Sequence, residues 1–169
     1  MMSGFCRTPF KYQIMKKITL ILVTLFVFGC KPTEKAVETK LNYQSQVAVK
    51  GDWQVTDVSY ANSDYIKVSL FDLGNTKCFV NSTWHFISNN NKGSMKINDY
   101  SCAYESDITW YINQNNEMVI KFLNGTKSKK VTTGYVVQYV PINENKFQLI
   151  EQADVLNKTQ DIVLTFERI

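Results

Sequence analysis

DITWYINQNNEMVIKFL, residues 107–123, decides the fold. Ile108, Trp110 and Ile112 alternate with Asp107, Thr109 and Tyr111, and Met118, Ile120 and Phe122 alternate with Glu117, Val119 and Lys121. Successive side chains on a strand point to opposite faces, so each run reads as a half-buried strand. The polar link at 113–116 between them makes the pair a β-hairpin.

The same period recurs on either side. STWHFIS (82–88) puts Trp84 and Phe86 on one face, KFQLIE (146–151) does so with Phe147 and Leu149, and IVLTFERI (162–169) with Ile162, Leu164 and Phe166. VTTGYVVQYV (131–140) is rich in β-branched and aromatic residues, with Pro141 expected to end it; which of Tyr135, Val136, Tyr139 and Val140 face inward stays open. DWQVTDVSY (52–60), YIKVSLFDL (65–73) and GSMKIN (93–98) are further candidate strands. Helical periodicity is almost absent, so the chain reads as all-β and antiparallel. Such sheets dispose of their edges by closing into a barrel or stacking as a sandwich. Gly51-Asp52-Trp53 opens the first strand, and Arg168, the only arginine after Arg7, lies in the last. In a barrel those strands are neighbours, and a guanidinium across the Trp53 ring contributes about 0.5–2 kcal/mol. An up-and-down barrel of about 8–9 strands is therefore the expected fold.

The chain begins differently. In MKKITLILVTLFVFGCKPTEK (15–35) the apolar run Ile18–Phe28 is too short for a bilayer helix, which needs about 20 apolar residues. With Lys16 and Lys17 before it, the run has the form of an export signal. Val27-Phe28-Gly29-Cys30 resembles the bacterial lipobox, which implies diacylglycerol on the Cys30 thiol and cleavage before it. The expected organisation is an upstream extension over 1–14, a signal peptide over 15–29, a flexible tether over 30–48 and a barrel domain over 49–169. Each acyl CH₂ buried in a membrane contributes about 0.8 kcal/mol, so a lipid-modified Cys30 would make the membrane a partner.

Charge follows from this division. Arg7, Lys11, Lys16 and Lys17, with no acidic residue before Cys30, account for the whole net charge of +4. From Cys30 onward the chain is neutral and has no electrostatic footprint for nucleic acid. With Cys6 in the extension and Cys30 as the lipid site, Cys78 and Cys102 remain as a pair in an oxidising compartment, where a disulfide is expected. It would limit the unfolded chain by about 3 kcal/mol. The alternatives, a redox pair or a metal site, lack CxxC spacing, and His85 is the only histidine.

Nothing in the chain forms a catalytic constellation. His85 alternates with Trp84 and Phe86 and is expected to point outward, the acidic residues are scattered singly, and no Gly-rich phosphate loop occurs. No catalytic residue, metal or cofactor is expected.

Taken in order, the lipobox, the short polar tether, Gly51-x-Trp53, Cys78 before STWHF, Cys102, and IVLTFER with its Arg168 resemble the lipocalin and calycin signature, and in particular the lipocalin-like lipoproteins of the Bacteroidetes. The resemblance implies a monomeric carrier in the cell envelope of a Gram-negative bacterium, anchored at the outer membrane and facing the periplasm. It also implies an apolar ligand lined by Trp84, Phe86, Trp110, Phe122, Phe147 and Phe166. The other reading of these six is that they fill the barrel themselves. The chain would then be a solid interaction module, a periplasmic inhibitor or an envelope assembly factor.

Overall fold

The computed structural model describes residues 39–61, 67–155 and 158–169. The expected extension, signal peptide and Cys30 lie outside the described residues. Ten strands follow in order: β1 Gly51–Ser59, β2 Ser69–Leu70, β3 Gly74–Asn75, β4 Thr83–Ile87, β5 Lys92–Ile97, β6 Tyr104–Ile112, β7 Glu117–Phe122, β8 Tyr135–Asn143, β9 Lys146–Val155 and β10 Lys158–Arg168. Eight of them close into an antiparallel barrel in the order β1-β10-β9-β8-β7-β6-β5-β4, with β4 pairing back onto β1. The short β2 and β3 form a separate turn within the β1–β4 connection.

The hairpin read from residues 107–123 forms as expected, with Trp110 opposite Ile120 and Ile112 opposite Met118. Its turn is organised by Asn113, whose Oδ1 accepts the backbone N–H of Asn115 (3.0 Å) and of Glu117 (2.9 Å). The alternating apolar residues of β4, β6, β7, β9 and β10 are buried and form the core.

Three local expectations differ from the structure. Tyr43–Val49, which covers the end of the stretch expected as tether and the first residue of the expected domain, is a helix, α1. Asn42 caps it by accepting the Ser45 N–H (3.1 Å), and the Asn42 N–H is itself bonded to the Ile112 carbonyl (2.8 Å). Gln46 and Val49 are buried beneath it, Gln46 bonding the Asn91 side chain. So short a helix is marginal alone, and its stability comes from this packing. Of YIKVSLFDL, the described residues 67–73 form only the two-residue β2, because Phe71 and Asp72 turn through left-handed backbone at φ +52° and +53°. Pro141 does not end β8. The strand continues to Asn143 through a register shift between Pro141 and Asn143, the kind of irregularity that tolerates a residue without an N–H.

Closure is concentrated at Arg168. Its Cζ lies 4.2 Å from the Trp53 ring centroid. Nη1 donates to the Lys50 carbonyl (2.9 Å), Nη2 to Ala48 (2.9 Å) and Nε to Glu144 (3.2 Å). Trp53 Nε1 donates to the Val49 carbonyl at 2.7 Å. Carbonyls at a helix C-terminus lack intrahelical partners and attract positive charge, and here the guanidinium and the indole supply both. Gly51 has φ +122°, and a Cβ there would stand 2.7 Å from Arg168 Nη1, so both its backbone and its space require glycine. At the opposite end, the Cys78–Cys102 disulfide joins the β1–β4 connection to the β5–β6 link.

Arg168→Ala is expected to lower the unfolding free energy in urea by about 2–4 kcal/mol, from the lost cation–π contact and three hydrogen bonds. Arg168→Lys, lacking the planar fork, should recover less than half of it. An unchanged urea midpoint in Arg168→Ala would show that the tie contributes nothing.

Candidate ligand site at the barrel mouth

The antiparallel path gives the barrel two unlike ends. The base carries the turns at 88–91, 113–116 and 144–145 together with α1; the mouth carries the β1–β4 connection, the link at 98–103 and the long loop at 123–134.

The interior is filled by its own rings. Trp53 meets Phe147 edge-on at 4.6 Å, Phe147 stacks on Phe166 at 4.6 Å, Trp84 meets Phe166 at 5.6 Å, and Phe86 meets Trp110 at 5.1 Å. Tyr139 joins them against Phe147 at 5.5 Å. Of the six aromatic residues singled out in the sequence, Trp84, Phe86, Trp110, Phe147 and Phe166 form this packed interior. Phe122 lies where the interior meets the mouth, 5.7 Å from the Tyr135 ring.

Over Phe122 the mouth holds a cleft of about 480 Å³, lined among others by Asp72, Leu73, Phe122, Asn124, Lys130 and Tyr135. The loop on one side starts with a turn at Asn124 and Gly125, both at positive φ, the conformation that Asn-Gly provides at little cost. The buried Ser106 anchors it, its Oγ accepting the N–H groups of Leu123 (3.1 Å) and Asn124 (3.0 Å). On the other side the β2–β3 turn lowers the Phe71 ring into the mouth, where it is 1% exposed.

Two carboxyls attend this turn. Glu151, on the inward face of β9, accepts the Phe71 N–H at Oε2 (3.4 Å), and Asp72 Oδ2 accepts the Tyr135 hydroxyl (3.3 Å). Burial, followed by the Asp72 charge, pushes the Tyr135 phenol up to about 12. Burial also raises the Glu151 carboxyl above its ordinary value; the Phe71 N–H opposes this and the Asp72 charge adds to it. Phe71, Asp72 and Glu151 were not singled out in the sequence. A charge at 151, the next inward position after Phe147 and Leu149, was the available signal.

Elsewhere, an outer groove of about 380 Å³ lies against β6 and β7, with Leu41, Tyr111, Val119 and Lys129 among its lining. His85 points outward, as expected, with Nδ1 2.5 Å from Asp52 Oδ1 on the exposed surface. Among the described residues no group of three or more His, Cys, Asp or Glu is placed to hold a metal.

A family model described as a lipocalin-like domain matches residues 49–149. This chain belongs to that family. No curated relative matches it by sequence. Solved structures similar to this lipocalin-like chain include a deswapped triple mutant of bovine odorant-binding protein, at 9% identity and TM-score 0.44, covering 72% of this chain and 74% of that one. Another is aphrodisin, a sex pheromone from female hamster, at 8% identity and TM-score 0.41, covering 71% and 74%.

The raised Glu151 carboxyl makes stability depend on pH. The native state favours the protonated acid, so Glu151's contribution is fully present below its unfolded value of 4.5 and is lost as pH rises through the higher native value. Urea midpoints from about pH 4 to about pH 7 should therefore fall more in wild type than in Glu151→Gln. Parallel curves for the two proteins would remove Glu151 as the cause.

Proposed function

We propose that this chain is a lipid-anchored, lipocalin-like binding protein of the cell envelope that takes a small apolar molecule at the barrel mouth. The cleft over Phe122 carries this reading. Its volume of about 480 Å³ lies within the range of small-molecule sites, roughly 300–1,000 Å³. Its floor is apolar, from Phe122 and Leu73, while Asp72, Asn124, Lys130 and the Tyr135 hydroxyl offer a few orienting polar groups. The role is binding rather than catalysis. The anchor rests on the lipobox at Cys30, and the location is the outer membrane facing the periplasm.

One observation favours a second reading. The ring-on-ring interior leaves the barrel suited to a solid interaction module, with the mouth loops as its contact surface.

Native mass spectrometry of protein purified from its own envelope distinguishes the two. A co-purified apolar molecule, retained by wild type and at least tenfold less by Leu73→Arg, is expected for the cleft. Equal retention by both proteins would remove the cleft from the mechanism, and no retained molecule would favour the solid module. Labelling with an alkyne fatty acid should mark wild type and not Cys30→Ala; equal labelling of both would end the lipoprotein reading.

A further inference from the structure

Phe71 is placed more like a bound ligand than like part of a wall. It comes from outside the barrel sheet, on the β2–β3 turn, and its ring enters a box of four others: Phe79 at 5.8 Å, Trp84 at 6.4 Å, Phe122 at 5.4 Å and Tyr135 at 5.4 Å. Three of these contacts are edge-to-face, at interplanar angles of 70°, 62° and 70°, and the contact with Phe122 is tilted at 51°. Aromatic quadrupoles favour such geometry, which is specific for a flat ring rather than for apolar bulk in general.

The backbone repeats the pattern. The Phe71 N–H, two carbons from its ring, is bonded to the half-buried Glu151 carboxyl, an acid directed inward where the alternation of β9 calls for an apolar residue. Glu151 has no ion pair among those formed by the described residues, so the Phe71 N–H is the donor that meets it. The turn holds Phe71 and Asp72 in left-handed backbone, a conformation that is strained for a bulky residue such as Phe71 and persists only where its surroundings enforce it.

We propose that the Phe71 side chain and N–H occupy, as an internal surrogate, a binding site for an arylalkylamine. The ligand is a small molecule with one aromatic ring two carbons from a protonated nitrogen. Its ring would take the Phe71 place between Trp84, Phe122 and Tyr135, and its ammonium would replace the Phe71 N–H on Glu151 with a charge-assisted hydrogen bond. The displaced turn would swing out of the mouth, relieving its left-handed backbone. This deepens the small-molecule reading of the mouth and rests on it, yet fails separately. Apolar molecules held over Phe122 without any preference for an amine would leave the cleft standing and remove the arylalkylamine.

The test is calorimetric titration of 2-phenylethylamine, with ethylbenzene as the ring without the amine. Phe71→Ala, which vacates the place, is expected to bind the amine at least tenfold tighter than wild type and at least tenfold tighter than it binds ethylbenzene. Adding Glu151→Gln should abolish the preference for the amine while ethylbenzene binding persists. Phe71→Leu, which keeps apolar contact but removes the flat ring, carries the same comparison should Phe71→Ala fail to fold. A folded variant that binds neither compound, or both equally, overturns the proposal. So does a preference for the amine that survives Glu151→Gln.

Discussion

The barrel depends on one guanidinium. Arg168 ends the last strand, yet its contacts reach the first strand, the helix before it and the β8–β9 turn. A sheet becomes a barrel only when its terminal strands meet, and the closing pair has least help from local sequence because its partners lie at opposite ends of the chain. Trp53 opposite Arg168 supplies that meeting with an aromatic face for a cation, and the carbonyls of α1 supply acceptors that would otherwise be unpaired. The requirement for glycine at position 51 follows from the same closeness. Removing any one of these partners leaves the others buried or strained.

The two ends of the barrel are held by different physics. At the base, hydrogen bonds and a cation–π contact converge on a short helix that covers the opening. At the mouth, the long β1–β4 connection is pinned by the Cys78–Cys102 disulfide and by the insertion of Phe71 among other rings. There the backbone is left-handed at Phe71 and Asp72 in succession and an acid sits on an inward face. At the base the departures, Gly51 at positive φ and Pro141 at a register shift, serve the closure itself, whereas those at the mouth serve no strand pairing. Departures of that kind gather where a protein meets something other than itself, which is why the functional argument belongs to the mouth.

Much of the barrel was legible because a half-buried strand writes its own period. Ile108, Trp110 and Ile112, or Ile162, Leu164 and Phe166, identify an inward face without reference to any other part of the chain. The helix Tyr43–Val49 was not legible, since it is too short to be stable alone and its buried face consists of Gln46 and Val49. Pro141 reads as a strand end by its missing N–H, and only the local register shift allows β8 to pass through it. For Tyr135 and Tyr139 the alternation was ambiguous against Val136 and Val140; pairing with β7 and β9 turned the tyrosines inward and left Val136 exposed.

The amino-acid sequence by itself determined the all-β class, the inward aromatic residues, the cysteine pair and the expected meeting of Trp53 with Arg168, because each is encoded in short-range period or in residues too rare to have another partner. Only the tertiary structure decided whether those aromatic rings surround a space or fill it. That outcome depends on how inward side chains from eight strands share one volume. It also depends on a turn 80 residues upstream of Glu151 bringing Phe71 to the same place. Contacts between residues so far apart leave no periodic trace in the chain; they exist only once the barrel has closed.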